Sequence, residues 1–405
     1  MTATQARIVP TGDPEMLRAQ VRAWLADNTP QGWHEQLRTA TPTAFREFNV
    51  HYARLLRDAG LLATHWPREF GGPGFSFDEQ LVVQEEMVRA DFPQPRLLEI
   101  SLQHIAATLM AHGTSEQQQL LAGILDGEIW CQGFSEPNAG SDLASLRTTA
   151  IRSGDAYVIN GQKVWSSYAD HATRCLLLAR TDPQAPKHRG LSLFIVDMDT
   201  PGVELRPIRQ ATGTEEFSEI FFTDVRVPAR NLVGEENAGW RIAQTTLTSE
   251  RVFSALELQE KLALALDSVC KEATRTPSVD GRTIADDDAF RQQLAARAAE
   301  VDVLGLIARK MVENFQRRGE VGADGSLVKL FYSETLQRLT ALAVQMEGMP
   351  AMLDERREFA TSWVSGHWLI DHLKSWNWTI AAGSNEIQRN IIGEKVLGLP
   401  REPQG

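Results

Sequence analysis

Apolar residues recur at helical spacing near both ends of the chain and at strand spacing in its middle. Leu17, Val21, Trp24 and Leu25 follow an Asp13-Pro14-Glu15 start signal, which places an N-cap, a first-position proline and an early acid in order. Phe45, Phe48, Tyr52, Leu55 and Leu56 repeat the pattern, and Gly60 is placed to end that helix. After the loop WPREFGGPGF, Ser76 and Glu79 have capping-box spacing. A further helix is predicted over ISLQHIAATLMAHG, and Thr114-Ser115-Glu116 opens another. From 128 the pattern changes to short β-rich runs, DAYVI, KVWSS, RCLLLAR, LSLFIVD and EIFFTDVRV. Asn160-Gly161 after the first of these predicts a hairpin turn. From 236 helical spacing returns: one long stretch to Ala273, a polar break TRTPSVDGRTIADDD, then helices over 288–318, 325–347, about 355–381 and 386–397. The expectation is a mainly α chain with a central all-β domain, barrel or sandwich: 1–127 helical, 128–235 β, 236–405 a helical bundle.

With 405 residues the chain is long enough for two or three domains. A net charge of -12 argues against a general nucleic-acid surface, though not against a local basic pocket. The three cysteines are far apart and form no CxxC pair, so neither a zinc site nor a disulfide framework is suggested, and a reduced, cytoplasmic compartment is expected. His367 and His372 lie five apart, on different helix faces, so no metal is expected. No apolar run is long enough to insert in a membrane, and the N-terminus has no apolar signal-like core.

The candidate chemistry lies in four stretches. WCQGFSEPNAGSDLASLRTTA spans 130–150, and INGQKVWSSYADHATRCLLLARTDP follows it. FSEIFFTDVRVPARNLVGEENAGW closes the β region, and EIQRNIIGEKVLG lies near the C-terminus. The S-E-P-N-A-G-S turn brackets a glycine with hydroxyls, and glycine lets backbone N–H groups approach an anion. Taken alone, that turn also reads as an ordinary polar loop, and Trp165 as an ordinary core aromatic. Together and in order, the four stretches resemble the acyl-CoA dehydrogenase family over nearly the whole chain. The resemblance implies a helical N-domain, a central β-domain and a C-terminal four-helix bundle, mostly assembled as tetramers. It implies an FAD enzyme that removes an α proton with a base and passes the β hydrogen as hydride to flavin N5. Electrons then go to electron-transfer flavoprotein. Carried over residue by residue, Phe134 and Ser135 face the isoalloxazine, and Gly140 and Ser141 approach the pyrophosphate or substrate. Trp165 packs on the flavin, and Ser167 bonds the ring near N5, with serine in place of the usual threonine.

The usual catalytic glutamate of the family aligns with Ala382 in IAAGSNEIQR, and no carboxylate lies between Thr379 and Asn385. Glu386 opens the next helix, and with Ser384 it is assigned to the cofactor side rather than to proton removal. Branched-chain and long-chain members carry the base on the first long helix after the β-domain, directly before an arginine. TSERVF supplies Glu250-Arg251 at that place. The resemblance implies that both positions reach the same α carbon. Glu250 is then the base, with Arg251 orienting it or shaping the CoA end. The backbone N–H of Ala382 holds the thioester oxygen as enolate charge develops. Read without that resemblance, Glu-Arg on a helix is a solvated pair.

The pattern is broken in one respect. Arg275 stands near an expected Arg-x-x-Phe-Gly element, but the Phe-Gly is absent from TRTPSVDGRTI. Gln345 and Gly348 resemble a Gln-x-x-Gly-Gly cofactor contact whose second glycine is Met349. The resemblance therefore leaves open a homotetramer or an α2β2 heterotetramer with a related chain. Also open are a flavin-dependent oxidase relative and a non-catalytic partner subunit. The acyl group, and CoA against a carrier-protein thioester, are not readable.

Overall fold

The computed structural model describes residues 7–278, 280–318, 322–353 and 367–401, with side chains between 245 and 255 excepted. It divides into two compact units. The first comprises 1–14, 35–80 and 94–250, and the second 15–34, 81–93 and 251–405.

Helix α1 (Pro14–Asn28) buries Leu17, Val21, Trp24 and Leu25, the stripe expected from spacing. A short α2 (Trp33–Arg38) precedes α3 (Pro42–Ala59). In α3 the Thr41 side chain caps the Ala44 N–H, and Gly60 closes the helix with φ 77°, where a side chain would be strained. Helix α4 (Phe77–Arg89) starts on the expected box: Glu79 N–H donates to Ser76 Oγ, and Ser76 N–H to Glu79 Oε2 at 2.9 Å. Glu79 also accepts the N–H groups of Thr11 (2.8 Å) and Gly12 (3.0 Å). Burial works to raise its pKa, but these backbone donors prevail and hold it below the usual carboxylate range. Glu79→Gln is therefore expected to cost about 1–3 kcal/mol at neutral pH. A depressed carboxylate contributes stability above its unfolded pKa and loses it as pH falls through the folded value. The gap to wild type should close in urea melts taken at progressively more acid pH.

The predicted helix after residue 100 begins as six residues of π-helix, Ile100–Ile105, before α5 (Ala106–His112). Two side chains reach the Leu102 carbonyl in this turn: Trp66 Nε1 donates to it at 2.9 Å, and His65 Nε2 lies 3.3 Å from it. Helices α6 (Ser115–Gln118) and α7 (Leu121–Leu125) follow, the former with a complete Thr114/Gln117 capping box.

The β region is one eight-stranded sheet. Its strands are β1 (Trp130–Gly133), β2 (Thr149–Ser153), β3 (Ala156–Ser167), β4 (Arg174–Arg180), β5 (Leu191–Asp197), β6 (Val203–Ile208), β7 (Phe217–Pro228) and β8 (Leu232–Val233). The order is β6-β7-β3-β2-β4-β5-β8, with β1 parallel on β4. Tyr157, Ile159, Phe194, Val196, Phe222 and Val225 fill its core, and Tyr157 meets Phe194 edge-on at 4.8 Å.

The hairpin expected at Asn160-Gly161 is not there. Strand β3 runs straight through both residues, and the turn is Gly154-Asp155, between the paired Ser153 and Ala156. Asn160 is held instead by its side chain: Nδ2 donates to Asp224 Oδ1 at 3.0 Å, and Asp224 N–H to Asn160 Oδ1 at 2.9 Å. Gly161 is required because a Cβ there would lie 2.4 Å from Thr148 Oγ1. Two register shifts mark the β3–β7 pair. Ile159 faces Val225 but Gly161 faces Phe222, which puts an extra residue on β7, where Asp224 has φ 51°. Lys163 faces Ile220 but Ser166 faces Ser218, which puts an extra residue on β3.

In the second unit, α8 (Gly239–Ala273) is one 35-residue helix, shared at residue 250 with the first unit. It is followed by α9 (Asp288–Arg318), α10 (Asp324–Glu347), α11 (Trp368–Ile380) and α12 (Asn385–Lys395). The stretch 354–366, the start of the helix expected over 355–381, lies outside the described residues. Helix α10 packs on α9, α11 and α12. Trp368 Nε1 donates to Glu272 Oε2 at 2.6 Å, tying α11 to the end of α8. Glu86 of α4 bonds Arg18 and Arg22 of α1, and Arg89 of α4 reaches Glu260 of α8 at 2.6 Å. Among the described residues no helix is long and apolar enough to cross a membrane, and no His/Cys/Asp/Glu group is placed to hold a metal ion.

Candidate functional site

The extra residue on β3 decides what Trp165 does. Up to Lys163 the strand alternates normally, with Tyr157, Ile159 and Lys163 inward. The bulge then reverses the parity. Val164 and Ser166 are buried, and Trp165, at φ 63°, is thrown outward and 57% exposed. Holding a bulky residue in this conformation costs free energy, about 1 kcal/mol or more. Its one described ring neighbour is Phe217, edge-on at 6.0 Å. An exposed indole on a rigid strand is a platform for a flat aromatic ligand.

The S-E-P-N-A-G-S loop lies against this strand. Val164 N–H donates to the Ser135 carbonyl at 2.9 Å, and Lys163 Nζ to the Phe134 carbonyl at 3.0 Å. Glu136 and Ala139 exchange two backbone hydrogen bonds, 3.1 and 3.0 Å, so the turn is closed on itself. Phe134 is buried, Ser135 half-buried, and Gly140 and Ser141 exposed. A Cβ on Gly140 would meet nothing within 4 Å, so its backbone is open to a ligand. Beyond it, Asp142 pairs with Lys187 at 2.9 Å, and Arg180 Nη2 donates to the Ala144 carbonyl at 2.6 Å. Phe134, Ser135, Trp165 and Ser167 are thus carried on one braced patch. It offers a flat aromatic surface and hydroxyls, which suits the isoalloxazine of FAD, and an open glycine turn, which suits a phosphate group.

The second unit carries the other candidates. Ala382 follows α11 with φ 53°, and Gly383 follows at φ 82°. Gln388 Nε2 holds both carbonyls, at 2.9 and 3.2 Å. Lys329 of α10 donates to the Gly383 carbonyl at 2.8 Å and to Asn385 Oδ1 at 2.9 Å. Both carbonyls are therefore occupied, and among the described residues nothing takes the exposed Ala382 N–H. A rigid loop presenting one N–H is the kind of donor an oxyanion needs. Ser384 caps α12 through the Ile387 N–H. Glu386 is exposed at that helix start. Hydrogen bonds from its own backbone N–H and from Ser384 hold its carboxyl below the usual range, which suits a helix-capping anion and not a proton acceptor.

The structure does not bring every candidate together. Lys329 anchors the 382–385 loop at the start of α10, whereas Gln345 and Gly348 lie at its far end, about 24 Å along the axis. Gly348 has φ 63° and ends the helix. Arg275 is exposed just past α8. Glu250 and Arg251 lie on the backbone of α8, and their side chains fall outside the described residues. Sequence reasoning missed Lys163, Glu136 and Arg180, which brace the loop rather than face a ligand.

Comparison with known proteins agrees with this layout. Patterns for the acyl-CoA dehydrogenase N-terminal, middle and C-terminal domains match residues 11–128, 131–225 and 237–397. The chain is 41% identical to the acyl-CoA dehydrogenase IpdE1 of Mycobacterium tuberculosis, over 97% of this chain and 100% of that one. The crystal structure of the ChsE4-ChsE5 complex from Mycobacterium tuberculosis is similar at TM-score 0.82 and 34% identity, covering 98% of this chain and 100% of that one. The Tcur3481-Tcur3483 steroid ACAD is similar at TM-score 0.82 and 29% identity, covering 98% and 100%. In domain order, in fold and in sequence along its length, the chain belongs to the acyl-CoA dehydrogenase family.

Proposed function

We propose that the chain performs FAD-dependent α,β-dehydrogenation of an acyl-CoA thioester, with Glu250 as base and the Ala382 N–H as donor to the thioester carbonyl. The observation that carries this is the 382–385 loop: the N–H at 382 is presented and held, while the side chain there has no carboxylate. The acid must then come from elsewhere, and Glu250 stands where the branched- and long-chain members have theirs. FAD, when bound, supplies the acceptor for the β hydrogen. Phe134, Ser135, Trp165 and Ser167 would hold its ring, Gly140 and Ser141 its pyrophosphate or the substrate. Glu250 removes the α proton, with Arg251 orienting it, and a dry pocket keeps that carboxylate basic enough to do so. Electron-transfer flavoprotein is the acceptor in this reading. A methyl at 382 leaves room beside the thioester for a branched or polycyclic acyl group, in keeping with the steroid ACAD among the similar structures.

The same reading favours assembly with a related chain. Gln345, Gly348 and Arg275 would serve a cofactor held by a neighbouring subunit, since α10 keeps the first two far from the Ala382 loop. The absent Phe-Gly after Arg275 argues that two identical chains do not complete that contact. Two of the similar structures are themselves two-chain complexes. Met349, Met352, Leu353, Trp376 and Ile380, all more than half exposed, give the second unit apolar surface to bury in an interface. The test is FAD per chain, purified alone and after co-expression with a related chain. Little flavin alone and near-stoichiometric flavin in the complex is the expected result. About one FAD per chain in a homotetramer would overturn the heteromeric reading. No flavin in either preparation would overturn the cofactor assignment.

A further inference from the structure

A charged pair sits beneath the cofactor patch, where the fold alone has no need of charge. Lys163 is wholly buried, and Glu136 is 9% exposed. Lys163 Nζ donates to Glu136 Oε1 at 2.9 Å and to the Phe134 carbonyl at 3.0 Å. Glu136 also accepts the Thr148 N–H at 2.8 Å and the Arg147 N–H at 2.7 Å. Burying two ions is costly, and an apolar pair of the same volume is often as stable. What an ammonium adds is direction: it fixes a carbonyl and a carboxylate at set distances and tolerates neither being lost.

We propose that Lys163 and Glu136 are the positioning pair of the FAD-binding face, a role that rests on the cofactor reading above. One buried ammonium joins three segments: the end of β1 at Phe134, the turn at Glu136, and β3 two residues before Trp165. Through Glu136 it also fixes the approach to β2 at Arg147 and Thr148. Ser135 lies between the two groups that Lys163 holds, and its own carbonyl is taken by the Val164 N–H. The hydroxyl of Ser135 and the ring of Trp165 are therefore set relative to one another by a single side chain that touches neither. A flavin contact built on a loop needs such support, because misplacement by even 1 Å weakens it. Burial pushes the Lys163 pKa down to about 8, against the pull of Glu136, and Glu136 itself is held low, so both are charged at neutral pH.

The test uses the FAD-loaded protein in whatever assembly loads it. Lys163→Met should weaken FAD binding at least tenfold and shift the visible flavin bands, as the environment of the ring loosens. The double variant Lys163→Met/Glu136→Gln removes both charges. It should regain much of the melting temperature lost by the single variant, yet keep the weak FAD binding and the shifted bands. That split between stability and flavin spectrum is what a merely structural pair would not give. Wild-type FAD affinity and spectrum in the folded double variant would overturn the proposal while leaving the cofactor reading intact. A wild-type protein that takes up no FAD, alone or with a partner chain, would overturn both.

Discussion

Glu250→Gln is expected to lower turnover by roughly 10²–10⁴-fold, the usual worth of a general base, with FAD content unchanged. The amide keeps the size and much of the hydrogen bonding of the carboxylate but cannot take a proton. Single-turnover reduction of the flavin by substrate, followed by absorbance, reads the chemical step directly. The resemblance implies that positions 250 and 382 reach the same α carbon. Adding Ala382→Glu to Glu250→Gln should then restore part of the lost rate, while Ala382→Glu alone should narrow the range of acyl groups accepted. The left-handed backbone at 382, with φ 53°, is no more strained by glutamate than by alanine, so the loop should survive the change. Unchanged turnover in Glu250→Gln would remove this residue from the mechanism and favour a subunit that completes another chain's site.

Trp66→Ala is expected to cost about 3–5 kcal/mol, among the largest stability losses open to a single substitution here. Trp66 is 2% exposed, and its indole N–H donates to the Leu102 carbonyl of the π-turn at 2.9 Å. The alanine variant opens a large cavity and leaves that carbonyl only the longer contact with His65 Nε2, at 3.3 Å. Trp66→Phe fills most of the volume and loses only the hydrogen bond, so it should cost about 1–2 kcal/mol. Urea unfolding of both variants separates the two contributions. A Trp66→Ala protein with near wild-type stability would mean that the π-segment has another way to satisfy its backbone.

The helical ends of the chain were legible because local chemistry and tertiary burial agree there. Gly60, Ser76 and Glu79 do in the structure what these residue types favour in isolation, and Thr41 adds a cap that the spacing did not single out. Strands β4, β5 and β7 were legible because they are continuous apolar or β-branched runs. Strand β6, VELRPI, was not, since its residues are largely exposed and lack a strong pattern. The turn preference of Asn160-Gly161 is overridden by pairing with β7 on one side and by Thr148 on the other. Trp66 was hidden in a Gly/Pro loop, where composition suggests surface. Phe134, Ser135, Trp165 and Ser167 become candidates for a flavin-facing role only through resemblance. The pair that supports them was not, because a lone lysine in a strand is normally solvated. One signal was available: counting by twos from Tyr157 and Ile159 brings Lys163 to the inward face, where a charge requires a partner.

The Asn160-Gly161 step inside β3 also bears on how this protein ages. In a loose chain, Asn-Gly is the sequence most prone to deamidation, because the glycine nitrogen can attack the side-chain amide and close a five-membered ring. Here that amide is engaged on both atoms by Asp224, and the following peptide is paired across β7. The reaction should therefore proceed only through molecules in which β3 has come apart. Slow gain of one mass unit at Asn160, followed by peptide mapping during storage, would then serve as a built-in clock for opening of the sheet that carries Trp165.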